Sequence, residues 1–176
     1  MTAQTPDSVK SFPLILGSFL RDPLGYIRRP LNFTWPLIFF ILAAAAFVSG
    51  GISGAINRNS VDVLLGIFVF PVTSVVTALV FGFFVYYFFS LFRATFLDFR
   101  RLMSLVSMSL IPYFLFHSVS SYLVPIDLLG FAFTCVLLIV GLVEQFQLDR
   151  KLCSKLVGSM ALLFFIAWSF ALYRNS

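Results

Sequence analysis

The sequence predicts an all-α integral membrane protein, a bundle of five transmembrane helices with a cytoplasmic N-terminus and the C-terminus outside. The composition, the long apolar runs and the placement of basic residues each predict this class. Of the 176 residues, 60% are hydrophobic and 11% are charged. A soluble domain carries about 25% charged residues, so this chain has too few polar side chains to cover a surface that faces water.

Residues 1–34 are expected to form a cytoplasmic N-terminal arm. It contains one short apolar stretch, Phe12–Leu20, which Pro13 and Gly17 interrupt. The stretch is too short to cross a hydrocarbon core of about 30 Å. The segment Arg21–Pro23 follows it without a small-residue cleavage site, so it is not a signal peptide. We interpret the stretch as an interfacial helix or a loosely attached segment.

Residues 35–176 are expected to form the transmembrane domain, because five apolar runs follow the arm. The second run, Val63–Phe92, is free of charge and would form roughly 45 Å of helix, more than the core requires. We expect Pro71 to resolve the excess, with residues 63–70 on the outer surface, and the alternative is that they extend the second span. The predicted spans are residues 35–56, 72–92, 102–124, 126–143 and 156–173.

The basic residues predict the orientation. Four arginines and lysines precede the first span, three lie between the second and third spans, and three lie between the fourth and fifth. On the other side are Arg58 and Arg174. Short loops rich in arginine and lysine stay in the cytoplasm, so the N-terminus is predicted to be cytoplasmic.

Three short charged segments, residues 22–29, 93–101 and 144–155, form the sizeable polar surface of the predicted bundle. We expect them to contact anionic lipid headgroups, a protein partner, or both. No basic stripe with interleaved aromatic residues projects from the bilayer, so nucleic acid is not an expected partner. The candidate contact residues are Arg28, Arg29, Arg100, Arg101, Arg150 and Lys151.

Two stripes of small residues at four-residue spacing mark candidate helix-packing faces. Helix association in lipid depends on close approach of such residues, since the surrounding lipid is as apolar as the helices. We expect both stripes to pack inside the bundle, and the alternative is a homodimer seam. They consist of Ala46, Gly50 and Gly54 in the first span and Ser74, Ala78 and Gly82 in the second.

His117 is the one ionisable residue well inside a predicted span, which disfavours an ion-coupled transporter. It shares a helix face with Ser109, Tyr113 and Ser121, and this stripe is a candidate cavity lining. The alternative function that follows is a facilitator for a small neutral solute or a lipid. The structural interpretation is a neutral imidazole bonded to a backbone carbonyl that Pro112 leaves free.

An intramembrane hydrolase is a more remote alternative. Gly51–Gly54 matches the G-x-S-G of rhomboid proteases, with Ser53 as nucleophile and His117 as base. A four-letter match in a glycine-rich segment is weak, and its glycines already have a packing explanation. Cys135 and Cys153 are expected at different membrane levels, so neither a disulfide nor a zinc site is predicted. We therefore expect no catalytic residues, no cofactor, no metal and no enzymatic activity.

Three stretches carry a resemblance to a known family. They are Asp22–Pro30 (DPLGYIRRP), Phe99–Pro112 (FRRLMSLVSMSLIP) and Gly141–Lys151 (GLVEQFQLDRK). In this order they resemble the Ypt-interacting protein family, or Yip domain, in its shorter bacterial form. The resemblance extends from about Asp22 to Tyr173.

The resemblance implies a five-span bundle with a cytoplasmic N-terminus. Eukaryotic relatives act in vesicle trafficking and organelle membrane organisation, contact Rab-type GTPases and form complexes with one another. Their D-L-Y-G-P segment before the first span is not present here. We therefore expect a non-enzymatic membrane scaffold or assembly factor with a protein partner or as a homo-oligomer. The short N-terminal region favours a bacterial inner membrane.

Overall fold

The computed structural model describes residues 12–58, 60–93, 96–120, 122 and 126–175, and these contain helices and no strands. One π-helical turn, Leu65–Val69, lies between two of the helices. The α-helices are α1 (Phe12–Arg21), α2 (Pro23–Arg28), α3 (Trp35–Ile56), α4 (Ser60–Leu64), α5 (Phe70–Arg93), α6 (Phe99–Ser109), α7 (Ile111–His117), α8 (Ile126–Phe146) and α9 (Arg150–Asn175).

Helices α1 and α2 pack onto the bundle. Ile15 and Phe19 of α1 are 5% and 1% exposed, and Phe19 meets Tyr26 of α2 edge to face. The side chain of Asp22 caps α2 by accepting a hydrogen bond from the Gly25 amide at 2.9 Å. The expectation of a loosely attached segment was therefore wrong for these residues, because burial of Ile15 and Phe19 holds α1 in place.

Helix α4, the π-helical turn and α5 form one continuous helix, Ser60–Phe92, of 33 residues. Pro71 was expected to separate residues 63–70 from this helix, but it lies in the first turn of α5 directly after the π-helical turn. A proline crowds the carbonyl one turn before it and donates no amide hydrogen bond. The wider π-helical turn accommodates this without ending the helix.

The third predicted span consists of two helices, α6 and α7, separated by a turn at Leu110 just before Pro112. Helix α7 ends at His117, whereas the helix was predicted to continue to Val124. Helix α6 is the centre of the bundle, since every residue from Leu102 to Ser109 is buried.

Helices α8 and α9 pack against each other and extend past their predicted bounds. Helix α8 ends at Phe146 rather than at residue 143, and α9 begins at Arg150 rather than at residue 156. Asp149 starts α9 by accepting a hydrogen bond from the Lys151 amide at 3.2 Å. Such a carboxylate satisfies an amide that the first helical turn leaves free.

Four helices of the described chain are long and apolar enough to cross a membrane: Trp35–Ile56, Ser60–Phe92, Phe99–His117 and Ile126–Phe146. Helix α9 has 26 residues, but most side chains after residue 166 lie outside the described part. The chain is therefore a helical membrane bundle, while the fifth span and the orientation of the termini stay predictions.

Candidate functional site

Gln145, near the end of α8, binds the connection between α2 and α3. Its Nε2 donates to the carbonyl of Ile27 at 2.6 Å, and its Oε1 accepts from the amide of Leu31 at 3.2 Å. The side chain is 6% exposed. Buried backbone groups require hydrogen-bond partners, so this amide holds the connection against α8.

Helix α6 completes what we call the Gln145 network. Arg101 donates from Nη2 to the carbonyl of Gln145 at 2.8 Å, and its guanidinium lies 5.2 Å from the centre of the Phe146 ring. Ser104 accepts a hydrogen bond from the Phe33 amide at 3.0 Å. Arg101, predicted as a lipid or partner contact, is therefore directed at the last turn of α8, where the helix dipole favours a cation.

Exposed basic side chains from three segments lie next to the Gln145 network, at one end of the bundle. We call this set of side chains the basic end. Three aspartates at this end, Asp22, Asp98 and Asp149, accept hydrogen bonds from backbone amides of the helices they precede. Burial raises the pKa of Tyr26 beside them, and Arg29 opposes this more weakly. The exposed members of the basic end are Arg28, Arg29, Arg100, Arg150 and Lys151.

The first stripe of small residues packs against the start of the second long helix. A Cβ on Gly50 would collide with the backbone of Gly66, and one on Gly54 would collide with the backbone of Asp62 and Val63. Ala46 of the same stripe is fully buried. Gly66 was not among the predicted packing residues, because residues 63–70 were expected at the outer surface.

The second stripe contacts different partners. A Cβ on Gly82 would collide with Met103 of α6, so this residue packs on α6 rather than on α3. Ala78 and Ser74 line a cavity described below. Both stripes thus have contacts within the chain.

A shallow, open groove with a volume of about 310 Å³, which we call the polar cavity, lies between α3, the helix from Ser60 and the end of α7. Ser53, Asn57, Asp62 and His117 are among its lining residues. Asn57 donates to Asp62 across 3.4 Å. The cavity therefore contains a carboxylate, an amide, a hydroxyl and an imidazole.

The imidazole of His117 has partners that the sequence did not predict. Its Nδ1 lies 3.2 Å from Oδ1 of Asp127, and its ring stacks on Phe70 with the centroids 4.6 Å apart. The expected bond to a backbone carbonyl freed by Pro112 was wrong, because Asp127 at the start of α8 provides a stronger, charged acceptor. Ser120 also lies 3.5 Å from the same nitrogen.

A second cavity of about 410 Å³, the apolar cavity, is partly open and separates α5 from α9. Helices α6, α7 and α8 supply the remainder of its lining, and the lining is mostly aliphatic and aromatic. Phe70 and Thr73 line both cavities. Thr134 faces the apolar cavity and is 1% exposed, and its hydroxyl has no hydrogen-bond partner among the described residues.

The residues of the polar stripe predicted in the third span lie in different parts of the structure. Tyr113 lines the apolar cavity and His117 lines the polar one. Ser109 is fully buried, and its hydroxyl has no partner within the described part of the chain. Ser121 lies outside the described residues. The described members of the stripe therefore do not line a single cavity.

A family model described as the Yip1 domain matches residues 17–172, nearly the whole chain. The chain belongs to the Yip1 domain family. This match confirms the resemblance seen in the sequence and supports a membrane protein of the Yip type. A comparison with curated proteins found no match, and a comparison with solved structures found none.

In this Yip1 domain protein, the three stretches that carried the resemblance lie in contact. A Cβ on Gly141 would collide with Leu105 and come within 3.0 Å of Ile27, so one glycine joins all three stretches. The bonds from Gln145 to Ile27 and from Arg101 to Gln145 join them again. The family pattern therefore corresponds to one packed junction.

The cysteines and acidic residues of the Yip1 domain protein form no evident metal site. Cys135 and Cys153 are both free thiols, and Cys135 lines the apolar cavity. No group of three or more histidine, cysteine, aspartate or glutamate side chains in the described residues is placed to hold a metal ion.

Proposed function

We propose that this Yip1 domain protein is a non-enzymatic membrane scaffold or assembly factor, and that it acts through protein contacts at its basic end. In this proposal five helices span a bacterial inner membrane and the basic end faces the cytoplasm. The observation that supports it is the Gln145 network, which joins the basic segments of α2 and α6 to the last turn of α8, just before the basic start of α9.

The Gln145 network makes the basic end suitable for binding a partner. Backbone groups of Ile27, Leu31 and Phe33 are fixed by side chains of α6 and α8, so the arginines beside them start from an ordered backbone. Preorganisation lowers the entropic cost of association. Arginine also binds carboxylates and phosphates with two parallel hydrogen bonds, which suits an acidic protein segment or anionic headgroups.

The positive charge of the basic end is available to a partner, because its aspartates accept hydrogen bonds from backbone amides. Asp98 accepts hydrogen bonds from the Arg100 and Arg101 amides at 3.0 and 3.3 Å. With these hydrogen bonds the Asp98 carboxylate stabilises the N-terminus of α6, and in the described part of the chain it does not pair with the neighbouring guanidinium groups. The basic end therefore presents an excess of positive charge, which steers acidic partners toward it.

The experiment is copurification of the tagged full chain from bacterial membranes in mild detergent after brief cross-linking. Wild type is expected to yield a defined partner or a homo-oligomer. A variant with Arg28→Ser, Arg29→Ser and Arg150→Ser should lose it, because the removed side chains are exposed and their loss leaves the Gln145 network intact.

Arg58→Asn is the matched control, since Arg58 is exposed and lies in the connection on the opposite side. Asparagine tolerates the positive φ of 55° at this position. A partner that survives the triple substitution would place the interaction elsewhere. A clean monomer from wild-type membranes would contradict the scaffold proposal itself.

A further inference from the structure

We propose that the polar and apolar cavities together bind one phospholipid whose headgroup carries an ammonium, with the headgroup in the polar cavity and one acyl chain in the apolar cavity. This site is separate from the basic end and does not depend on the scaffold proposal. It follows from the position, the length and the chemistry of the two cavities.

The two cavities adjoin through shared walls. Phe70 and Thr73 line both of them, so these two side chains form the boundary between a polar and an apolar volume, and a ligand that occupies both must pass over them. Each cavity falls within the range of about 300–1,000 Å³ found for small-molecule sites. A molecule with a polar end joined to an apolar chain is complementary to such a pair.

The length of the apolar cavity matches one leaflet of a bilayer. Its lining on α5 runs from Phe70 to Phe81, and eleven residues correspond to roughly 16 Å of helix. This is about half of the ~30 Å hydrocarbon core. An acyl chain that enters beside Phe70 therefore lies alongside the helices to about the mid-plane of the bilayer.

The apolar cavity also has a feature that a packed protein core would not leave. The hydroxyl of Thr134 is buried in its wall without a partner among the described residues. A buried hydroxyl without a partner destabilises the fold, and close packing normally fills a space of this size. An acyl chain that enters the cavity would fill the space, and only the ester carbonyl of such a lipid would offer Thr134 an acceptor.

The polar cavity favours a cationic group. Asp62 lines it, and Asp127 holds the His117 ring that lines it from the other side. Arg58 follows Asn57 directly and is exposed at the same end of the bundle. A headgroup with an ammonium for the carboxylate and a phosphate for the guanidinium is complementary to this arrangement, whereas an anionic headgroup without an ammonium is not.

The test is photocross-linking of the full chain in phosphatidylglycerol vesicles. The probes are phosphatidylethanolamine and phosphatidylglycerol, each carrying the same photoactivatable group on one acyl chain. Wild type is expected to cross-link the ethanolamine lipid about fivefold more than the glycerol lipid, the preference that one partly exposed ion pair supplies. The cross-links should map to the α5, α8 and α9 walls of the apolar cavity.

Two variants separate the acyl-chain site from the headgroup site. Thr77→Phe fills the apolar cavity from an exposed position in its lining and should reduce cross-linking of both lipids several-fold. Its control is Val76→Phe, which adds a ring at the neighbouring exposed position outside the lining. Asp62→Asn should leave cross-linking of the glycerol lipid unchanged and lower cross-linking of the ethanolamine lipid to the same level. Glu144→Gln, an exposed carboxylate near the basic end, is its control.

Three results would overturn the proposal. Equal cross-linking of the two lipids by wild type would remove the headgroup assignment. Unchanged cross-linking in Thr77→Phe, with the variant eluting as wild type does in detergent, would remove the acyl-chain assignment. Cross-links confined to helix faces outside the lining of the apolar cavity would show that the lipid contacts the protein without entering the cavity.

Discussion

Replacing Gln145 by leucine tests whether the Gln145 network holds the N-terminal connection. Leucine keeps the approximate size of the side chain, but it leaves the Ile27 carbonyl and the Leu31 amide without the partners that Gln145 supplies at 2.6 and 3.2 Å. Each buried backbone group left without a partner costs about 1–3 kcal/mol. Some water will reach these groups from the exposed neighbours Arg28 and Pro30, so we expect a total of about 2–4 kcal/mol.

The substitution destabilises the connection between α2 and α3 rather than the whole bundle, because α6 and α8 keep their own packing. Every 1.4 kcal/mol changes an equilibrium tenfold, so the open population of residues 22–33 should rise by about 30-fold to several hundred-fold. Cleavage by trypsin after Arg28 reports this population when opening is fast relative to cleavage. Hydrogen exchange of the Leu31 amide reports the same opening free energy.

The control is Glu144→Leu, which introduces the same apolar side chain at an exposed position one residue earlier in α8. Its cleavage and exchange rates should match those of wild type. If Gln145→Leu also leaves both rates unchanged, the Gln145 side chain does not hold the connection, and the argument that orders the basic end is refuted.

Two further predictions concern the long helices and the topology. Gly66→Ala places a Cβ against the backbone of Gly50 and should cost about 1–3 kcal/mol of stability in detergent micelles, measured by thermal unfolding. Gly158→Ala, whose Cβ would meet nothing within 4 Å, should be neutral or stabilising by up to about 1 kcal/mol, and equal losses in both variants would contradict the close approach at Gly66. Reporter fusions at the two ends of the chain should fall in opposite compartments, and the same compartment for both would exclude five spans.

The long apolar helices could be predicted from the sequence because a bilayer fixes their length and composition. Helix α3 begins at Trp35 and ends at Ile56, the bounds predicted for the first apolar run. The third span was predicted as one helix to residue 124, so the turn at Leu110 before Pro112 was not predicted, although it follows the chemistry of proline. Where local composition determines a helix, the sequence was sufficient to predict its bounds.

Contacts between distant residues could not be predicted in this way. Gln145 lies 118 positions from Ile27 in the chain, and in sequence it resembles one more polar residue at the end of a span. The pairing of His117 with Asp127 depends on how α7 and α8 are joined. The continuation of the helix through Pro71 depends on a π-helical turn, for which the apolar run carried no distinct signal.

The junction of the three stretches consists of packed and hydrogen-bonded residues that hold the helices together. The exposed basic residues lie beside it. Gly141, Leu105 and Ile27 are packed together, and Gln145 and Arg101 are hydrogen-bonded within the junction. The exposed arginines of the basic end lie beside them in the sequence, and among the described residues their side chains donate no hydrogen bond within this junction. The junction lies within residues 17–172, the range that the family model matches. Under the scaffold proposal, the exposed basic side chains are the ones to change in a search for a partner, because their removal leaves the hydrogen bonds of the junction intact.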